Sequence, residues 1–534
     1  MTVSAFQPGN TITTEAGDHL ITEASDHLVT GMDLVWAVSA VLSGVPVDLS
    51  ADVLLDPGIA CRYGIFGSSP GDRVADTGTL TFQLNNSQRN SASLIGYYTP
   101  GHANCRAGWD LGVKVSLQII YNGVIYYKFY GAVDEILPSM GIYRERRVSV
   151  TVVDWIDEAA RYKLQRIPTQ VNKYAGQLVN TIISYMAWAP LQQSINSGSD
   201  LISYALDTTK DETTTALREL QKICDNEFGY LYVTGDTVFG GKLVFEGRTN
   251  RQLDLTSDQT ITNSMTGLDA GRRRGDVINR AVVTVNPRDN NNDTGIVLWT
   301  MGQTKKLEPG EVYIFSANYT DPDTQDRIGT GGNVVAVYSF NSTILHDMPG
   351  DMDASLDITI EAGGNSALVT LTNTDNIPGY VVVFYLQGIP LYNYTPISYT
   401  DDSASSQATY GLNMVNIDTP YHADIGFAVA ASSFILSQWG TLRTIPNSLR
   451  LVGNVDATTM TAVLATEPGD RITVTESMSA VSDDFIIHGV DFNILPGHIF
   501  TSTWTIAPTW DLPAPWLLGT AGNSELGTTT NLGF

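Results

Sequence analysis

Positive charge is scarce in this 534-residue chain. Thirty Lys and Arg stand against 56 Asp and Glu, the net charge is −26, and the first cation is Arg62. Wrapping a nucleic acid takes clustered cations, so the balance argues against it; an acidic wall past which DNA slides without sticking stays compatible. Cysteine is almost missing. Cys61, Cys105 and Cys224 show no CxxC or Cys/His metal spacing, and their odd number precludes complete internal pairing and points to a reducing site of synthesis. A Cys61–Cys105 bridge stays open, with nothing favouring it. No run of 18 apolar residues occurs, so no helix is expected to span a membrane. Residues 1–30 lack the basic flank and apolar core of a secretion signal. Only 16% of residues are charged, which suits a surface covered by neighbours in an assembly, although Ser, Thr and Asn also keep a surface wet.

What is present points to β structure. Hydrophobic residues make up 43% and Gly numbers 48, enough for real cores and many turns; the length fits three or four domains. One short module recurs. Gly131-Ala-Val-Asp-Glu-Ile-Leu-Pro138 matches Gly489-Val-Asp-Phe-Asn-Ile-Leu-Pro496, and each has an alternating strand upstream, from Gly112 and from Gly469. A strand–loop–strand unit used twice favours a two-barrel architectural protein over an enzyme built round one pocket. Coincidence between hairpins is the plain alternative.

The expected fold class is mainly β with minor α. Residues 1–32 form a β-arm with a tandem octad, Thr14–Ile21 and Thr22–Val29, whose Asp18/His19 and Asp26/His27 read as arm residues and not as a metal or pH site. Residues 33–165 form a first β-barrel, with Asp154 capping a helix over Trp155–Lys163. Residues 166–254 form a small α/β domain, its helix over Thr213–Phe228 capped by Gly229. Residues 255–294 and 401–510 form a second barrel plus a helix over Asp424–Trp439. Residues 295–400 form an inserted β-sandwich, left by an exit loop at Asp401–Gln407, and 511–534 a C-terminal arm.

No credible catalytic constellation emerges, and no catalytic, cofactor-binding or metal residue is assigned. Gly67-Ser-Ser69-Pro-Gly71 matches GxSxG, but Pro70-Gly71-Asp72 denies the helix a nucleophile elbow needs, so a turn is expected. Asp134/Glu135 and Asp483/Asp484 are adjacent in strands and point to opposite faces, a poor acid–base geometry. Asp289-x-Asn291-x-Asp293 has calcium-loop spacing, yet Thr294 replaces the required Gly and position twelve is Thr300; a polar loop is expected, and at Asp321–Asp326 also. His102, His346, His422, His488 and His498 show no paired-ligand spacing. Trp155, Trp439 and Trp504 read as core or seam residues, with carbohydrate stacking the minority reading. The basic clusters Arg144/Arg146/Arg147/Arg161/Lys163/Arg166 and Arg272/Arg273/Arg274/Arg280 read as solvated faces and salt bridges, with subunit contacts second.

Tyr126-Tyr-Lys-Phe-Tyr-Gly-Ala-Val-Asp-Glu-Ile136 followed by Arg146-Arg-Val-Ser-Val-Thr-Val-Val-Asp154 resembles the strand pair and helix of tail-tip or baseplate hub proteins of tailed bacteriophages. Thr213–Phe228 with Gly229-Tyr-Leu-Tyr-Val233 and Leu243–Arg248 resembles the middle domain of such hubs, and Thr466–Thr475 with Phe485–Gly489 their closing barrel. The resemblance covers 33–290 and 400–510. It implies two tail-tube-like barrels per chain and a homotrimer whose six barrels continue the sixfold tail tube and adapt it to a threefold tip. Implied partners are the distal tail or tube rings above, a tip fibre or spike below, and a tape measure protein; DNA passes without being bound specifically. The implied place is the virion tail tip, assembled in the host cytoplasm, with roles in host attachment and genome ejection. Two competitors stand beside it: an adhesin with 295–400 as a receptor- or glycan-binding module, and a wall-degrading tail enzyme.

Overall fold

The computed structural model describes residues 34–139, 146–207, 209, 214–235, 240–253, 256–290, 295–344 and 350–509. The octads at 14–29, the arm at 511–534, His346 and most of the Asp289–Asp293 loop lie outside them. The chain is mainly β, and its largest element is one fourteen-stranded sheet. Its strands are β1 (Leu34–Leu42), β2 (Val45–Asp48), β3 (Val53–Leu54), β4 (Ile59–Gly64), β5 (Asp76–Asn85), β6 (Lys114–Tyr121), β7 (Val124–Ser139) and β8 (Arg147–Val153), then β9 (Gln259–Thr262), β10 (Gly267–Gly271), β11 (Ile445–Val452), β12 (Arg471–Glu476), β13 (Val481–Leu495) and β14 (Ile499–Pro508). The main path runs β10-β11-β14-β13-β4-β5-β8-β7-β6-β1-β2, with β12 and β9 continuing from β13 and β3 beside β5.

Alternation builds this sheet. In β5 the side chains of Leu80, Phe82 and Leu84 are buried while Thr79, Thr81 and Gln83 turn away; opposite them lie Val152, Val150 and Val148 of β8. Period-2 placement of β-branched and aromatic residues gives each strand one apolar face. Those faces, together with Phe492, Phe500, Trp504 and Ile506 from the C-terminal strands, form a single core spanning both halves. Full burial of each such side chain contributes about 1.5–3 kcal/mol, which is why the halves hold together through their interior.

A second core lies under the middle of the chain, where helices Ala175–Tyr185 and Ala216–Glu227 cover the three-stranded sheet Gln192–Ile195, Lys242–Glu246 and Tyr230–Thr234. Thr215 caps the second helix through its side chain, and Phe228, not Gly229, takes the left-handed C-cap position with φ 56°. Residues 295–400 supply a third core, with a sheet centred on Gly379–Gly388 facing one centred on Ser366–Asn373.

The strand Arg280–Val285 does not join the large sheet with its neighbours in sequence. It pairs with Ile397–Asp402 and Met414–Thr419 and packs Ala281, Val283 and Val285 under helix Ile425–Trp439, whose Ala428, Ala431 and Ile435 face it. Small residues on both surfaces let helix and sheet approach closely, so this unit closes a core of its own. Two helices replace expected loop or strand: Ala404–Tyr410 in the presumed exit loop, and Ala457–Ala465, capped by Asp456 accepting from Thr459 N at 2.8 Å.

Candidate assembly seam

The two halves of the large sheet repeat one strand order. Reading outward, β6-β7-β8-β5-β4 corresponds to β12-β13-β14-β11-β10; β1 and β9 take the matching place beside them, but β1 runs antiparallel to β6 and β9 parallel to β12. The match extends to individual hydrogen bonds. Val133 of β7 accepts from Gly112 N (2.7 Å) and donates to Val113 O (2.9 Å); Ile487 of β13 accepts from Gly469 N (2.8 Å) and donates to Asp470 O (2.9 Å). One residue later each long strand bulges, between Val133 and Glu135 and between Ile487 and Gly489. Gly112 and Gly469 therefore correspond, as their sequences indicate. Gly131 and Gly489 do not: the counterpart of Gly489 is Glu135, so the Gly-to-Ile-Leu-Pro likeness runs out of register with the repeat.

Within the chain the halves meet where β4 pairs antiparallel with β13, from Gly64↔Gly489 to Ile59↔Ile494. The strands cross tightly at the two glycines. A Cβ on Gly64 would sit 2.5 Å from His488 O and 2.7 Å from Gly489 Cα, and one on Gly489 would meet Ile65 O at 2.8 Å. Gly64 also holds φ +104°, a backbone conformation closed to L side chains.

Two buried polar clusters lock this seam to the middle domain. Lys128 is the extra residue where β7 shifts register against β6. The bulge re-aims its side chain, and the ammonium, 1% exposed, reaches Glu467 Oε1 at 2.6 Å. The other oxygen of Glu467 accepts from Tyr63 OH (2.8 Å), Thr234 Oγ1 (2.9 Å) and Gly235 N (2.9 Å). One carboxylate thus ties together both halves and the hairpin of the middle domain. In the second cluster Arg251 is held by Glu246 Oε2 at 2.7 Å, lies over the Tyr230 ring at 3.6 Å, and donates to His488 Nε2 at 2.9 Å. His488 in turn donates from Nδ1 to Gly67 O at 2.8 Å. Burial first, and the facing Arg251 second, push this imidazole down to about 3, so it stays neutral.

Burial pushes two carboxyls the other way. Asp154, whose Oδ1 caps helix Trp155–Arg161 by accepting from Ile156 N, and Asp470, which accepts from Glu467 N, are both raised to about 7. Folded-state values above the unfolded ones mean that the native chain binds more protons, so stability is favoured at the acid end and lost as pH rises through about 7. The melting temperature should therefore be higher at pH 6 than at pH 8. Asp154→Asn, an equally good cap, should raise stability most at pH 8 and leave it little changed only near pH 3, below the range in which the unfolded carboxyl ionises; equal effects at both pH values would contradict the assignment.

The residues singled out from sequence fall into structural roles. Ser69 and Asp72 close a turn, with Ser69 N donating to Asp72 Oδ2 at 2.8 Å. Asp484 holds Arg471 and Thr473 while its neighbour Asp483 is exposed. Asp321 accepts from the backbone of Asp323 and Thr324. His102 and His498 are exposed, and His422 stacks on Phe427 with centroids 3.7 Å apart. Trp504 and Trp439 are buried in separate cores, and Trp155 donates to Trp188 O. The three cysteines are free. Among the described residues no three His, Cys, Asp or Glu gather as a metal site. A cleft of about 320 Å³ opens between Lys114, Trp155, Trp188, Asp157 and Glu158, where Asp157 is tied to Arg161 at 2.8 Å.

No family model and no curated protein matches the chain. Among solved structures it is similar to the 43 kDa tail protein of prophage MuSo2 from Shewanella oneidensis, 9% identical over 89% of this chain and 98% of that one, with a TM-score of 0.44. It is also similar to a tail protein from Neisseria meningitidis MC58 (8% identical, 88% and 96% covered, TM-score 0.45). A third is prophage tail protein gp18 from Listeria monocytogenes EGD-e (8% identical, 88% and 94% covered, TM-score 0.40).

Proposed function

We propose that the chain is a structural component of a phage tail tip, a hub of which three copies close into a ring of six sheet modules. The observation that carries this is the internal repeat: two modules of equal strand order, joined edge to edge within one sheet. A chain holding two such modules converts sixfold into threefold symmetry when three chains associate. On this reading the ring stacks on distal tail or tube rings above and a fibre or spike below, with the tape measure protein and DNA passing through its centre. The net charge of −26 suits a lumen that does not hold DNA. On this reading the role is architectural and not catalytic, and host-surface contact falls to the 295–400 module.

Negative-stain or cryo-electron class averages of concentrated protein are expected to show rings of six similar lobes with threefold symmetry. Particles of two joined lobes without further association would overturn the ring.

A further inference from the structure

The cleft beside Trp188 has no part in the role proposed above. Three elements build it: the start of β6 at Lys114, the first turn of helix Trp155–Arg161, and the loop that follows helix Ala175–Tyr185. Trp155 and Glu158 lie three residues apart and share one face of the short helix. The Trp155 indole N–H donates to Trp188 O at 3.0 Å and holds the loop in place. Packing accounts for Trp155, which rests against the second core. It does not account for Trp188, which is 57% exposed, with Leu191 of the same loop exposed beside the cleft. Folding gains little from an indole left in water. The polar groups around it are few and specific. Lys114 is half-buried, with its Nζ 5.0 Å from the centre of the Trp188 ring; burial lowers its pKa and the nearby Glu158 raises it. Asp157 is held through Oδ2 by Arg161 at 2.8 Å, which leaves lone pairs on Oδ1. Asp154 also borders the cleft, but its carboxyl is buried as the helix cap.

We infer that this cleft binds a neutral saccharide, with one sugar ring stacked on Trp188 and its hydroxyls bonded to Glu158, Asp157 and Lys114. Charge selects the ligand class. The Lys114 ammonium already holds the cation position over Trp188, so a cationic ligand would have to displace it. An anion would be set against Asp157 and Glu158. A neutral ring meets neither obstacle. A sugar also offers both surfaces the cleft asks for: an apolar C–H face for the exposed indole, and hydroxyls that donate to carboxylates and accept from an ammonium. A purely apolar ligand would strip water from those charged groups and return no hydrogen bonds. The volume of about 320 Å³ lies at the small end of ligand clefts, about 300–1,000 Å³, with room for about one or two sugar residues. The site belongs to the body of the chain, apart from the 295–400 module, and stands whether or not three chains close into a ring.

The test is titration of the full chain with glucose, galactose, N-acetylglucosamine and their disaccharides, read by calorimetry and by ligand-observed NMR. At least one of these neutral sugars is expected to bind saturably. Trp188→Ala should abolish that binding, and Trp188→Phe should keep part of it by retaining a ring to stack on. Glu158→Gln should weaken it about tenfold by removing a charge-assisted hydrogen bond. Circular dichroism and thermal melting of these variants check that the fold is intact. Disaccharides that bind more tightly than their single rings would mark a surface polysaccharide as the source of the ligand; equal affinities would mark a free sugar. Binding that survives Trp188→Ala would put the sugar elsewhere on the chain and overturn the inference. Choline bound in preference to every sugar would make the cleft a cation cage and overturn it as well. No sugar bound, together with self-association lost in Trp188→Ala, would show that a second chain covers the indole, and the saccharide site would fall.

Discussion

Lys128→Ala should cost about 3–5 kcal/mol of unfolding free energy, measured by chemical denaturation, because it leaves the Glu467 carboxylate uncompensated in a largely buried site. The ammonium is 1% exposed and the carboxylate 19%, so water cannot readily take over the lost partner. Tyr63, Thr234 and Gly235 would still donate to that carboxylate, which keeps the loss below that of a bare buried charge. Lys128→Met combined with Glu467→Gln removes both charges at similar volume. It should cost clearly less than the sum of the single changes, a coupling a double-mutant cycle reads directly. A single-variant cost under about 1 kcal/mol would show that the junction relaxes into solvent and does not lock the halves.

The second large effect lies at the strand crossing. Gly64→Ala should destabilise by about 2–4 kcal/mol, combining a left-handed backbone that alanine resists with a methyl placed against the chain opposite. The atoms it would meet, His488 O at 2.5 Å and Gly489 Cα at 2.7 Å, are backbone and cannot swing aside. Gly71→Ala is the matched control, since a Cβ there meets nothing within 4 Å, and it should change stability by less than about 0.5 kcal/mol. Equal thermal shifts for the two variants would mean that the β4–β13 pairing contributes little.

Local structure was the legible part of this sequence. Period-2 alternation is plain in Leu80-Phe82-Leu84 and Val148-Val150-Val152, and Asp154 stood out as a cap for the helix that its carboxylate does cap. The Gly112 and Gly469 turns marked the upstream edge of both modules. The register of the repeat was not legible, because a bulge adds one residue without any change of composition; Ile-Leu-Pro follows the bulge at Asp134 and the one at His488 by different lengths. Placing 255–294 as a whole in the second barrel likewise missed Arg280–Val285, because a strand's own residues carry no information about which sheet receives it. Helix Ala457–Ala465 carries Thr458, Thr459, Thr461 and Val463, residues that favour strands, although Asp456 three before Thr459 was a usable N-cap signal. The junction of Lys128, Tyr63, Thr234 and Glu467 joins residues separated by hundreds of positions, and no periodicity reaches that far.

Absolute mass in solution tests the ring most directly. Light scattering or sedimentation across rising concentrations should converge on three chains and stay there, because a closed head-to-tail ring has no edge left to add to. A mass fixed at one chain, or one that climbs without limit, would contradict a threefold hub built from two modules per chain.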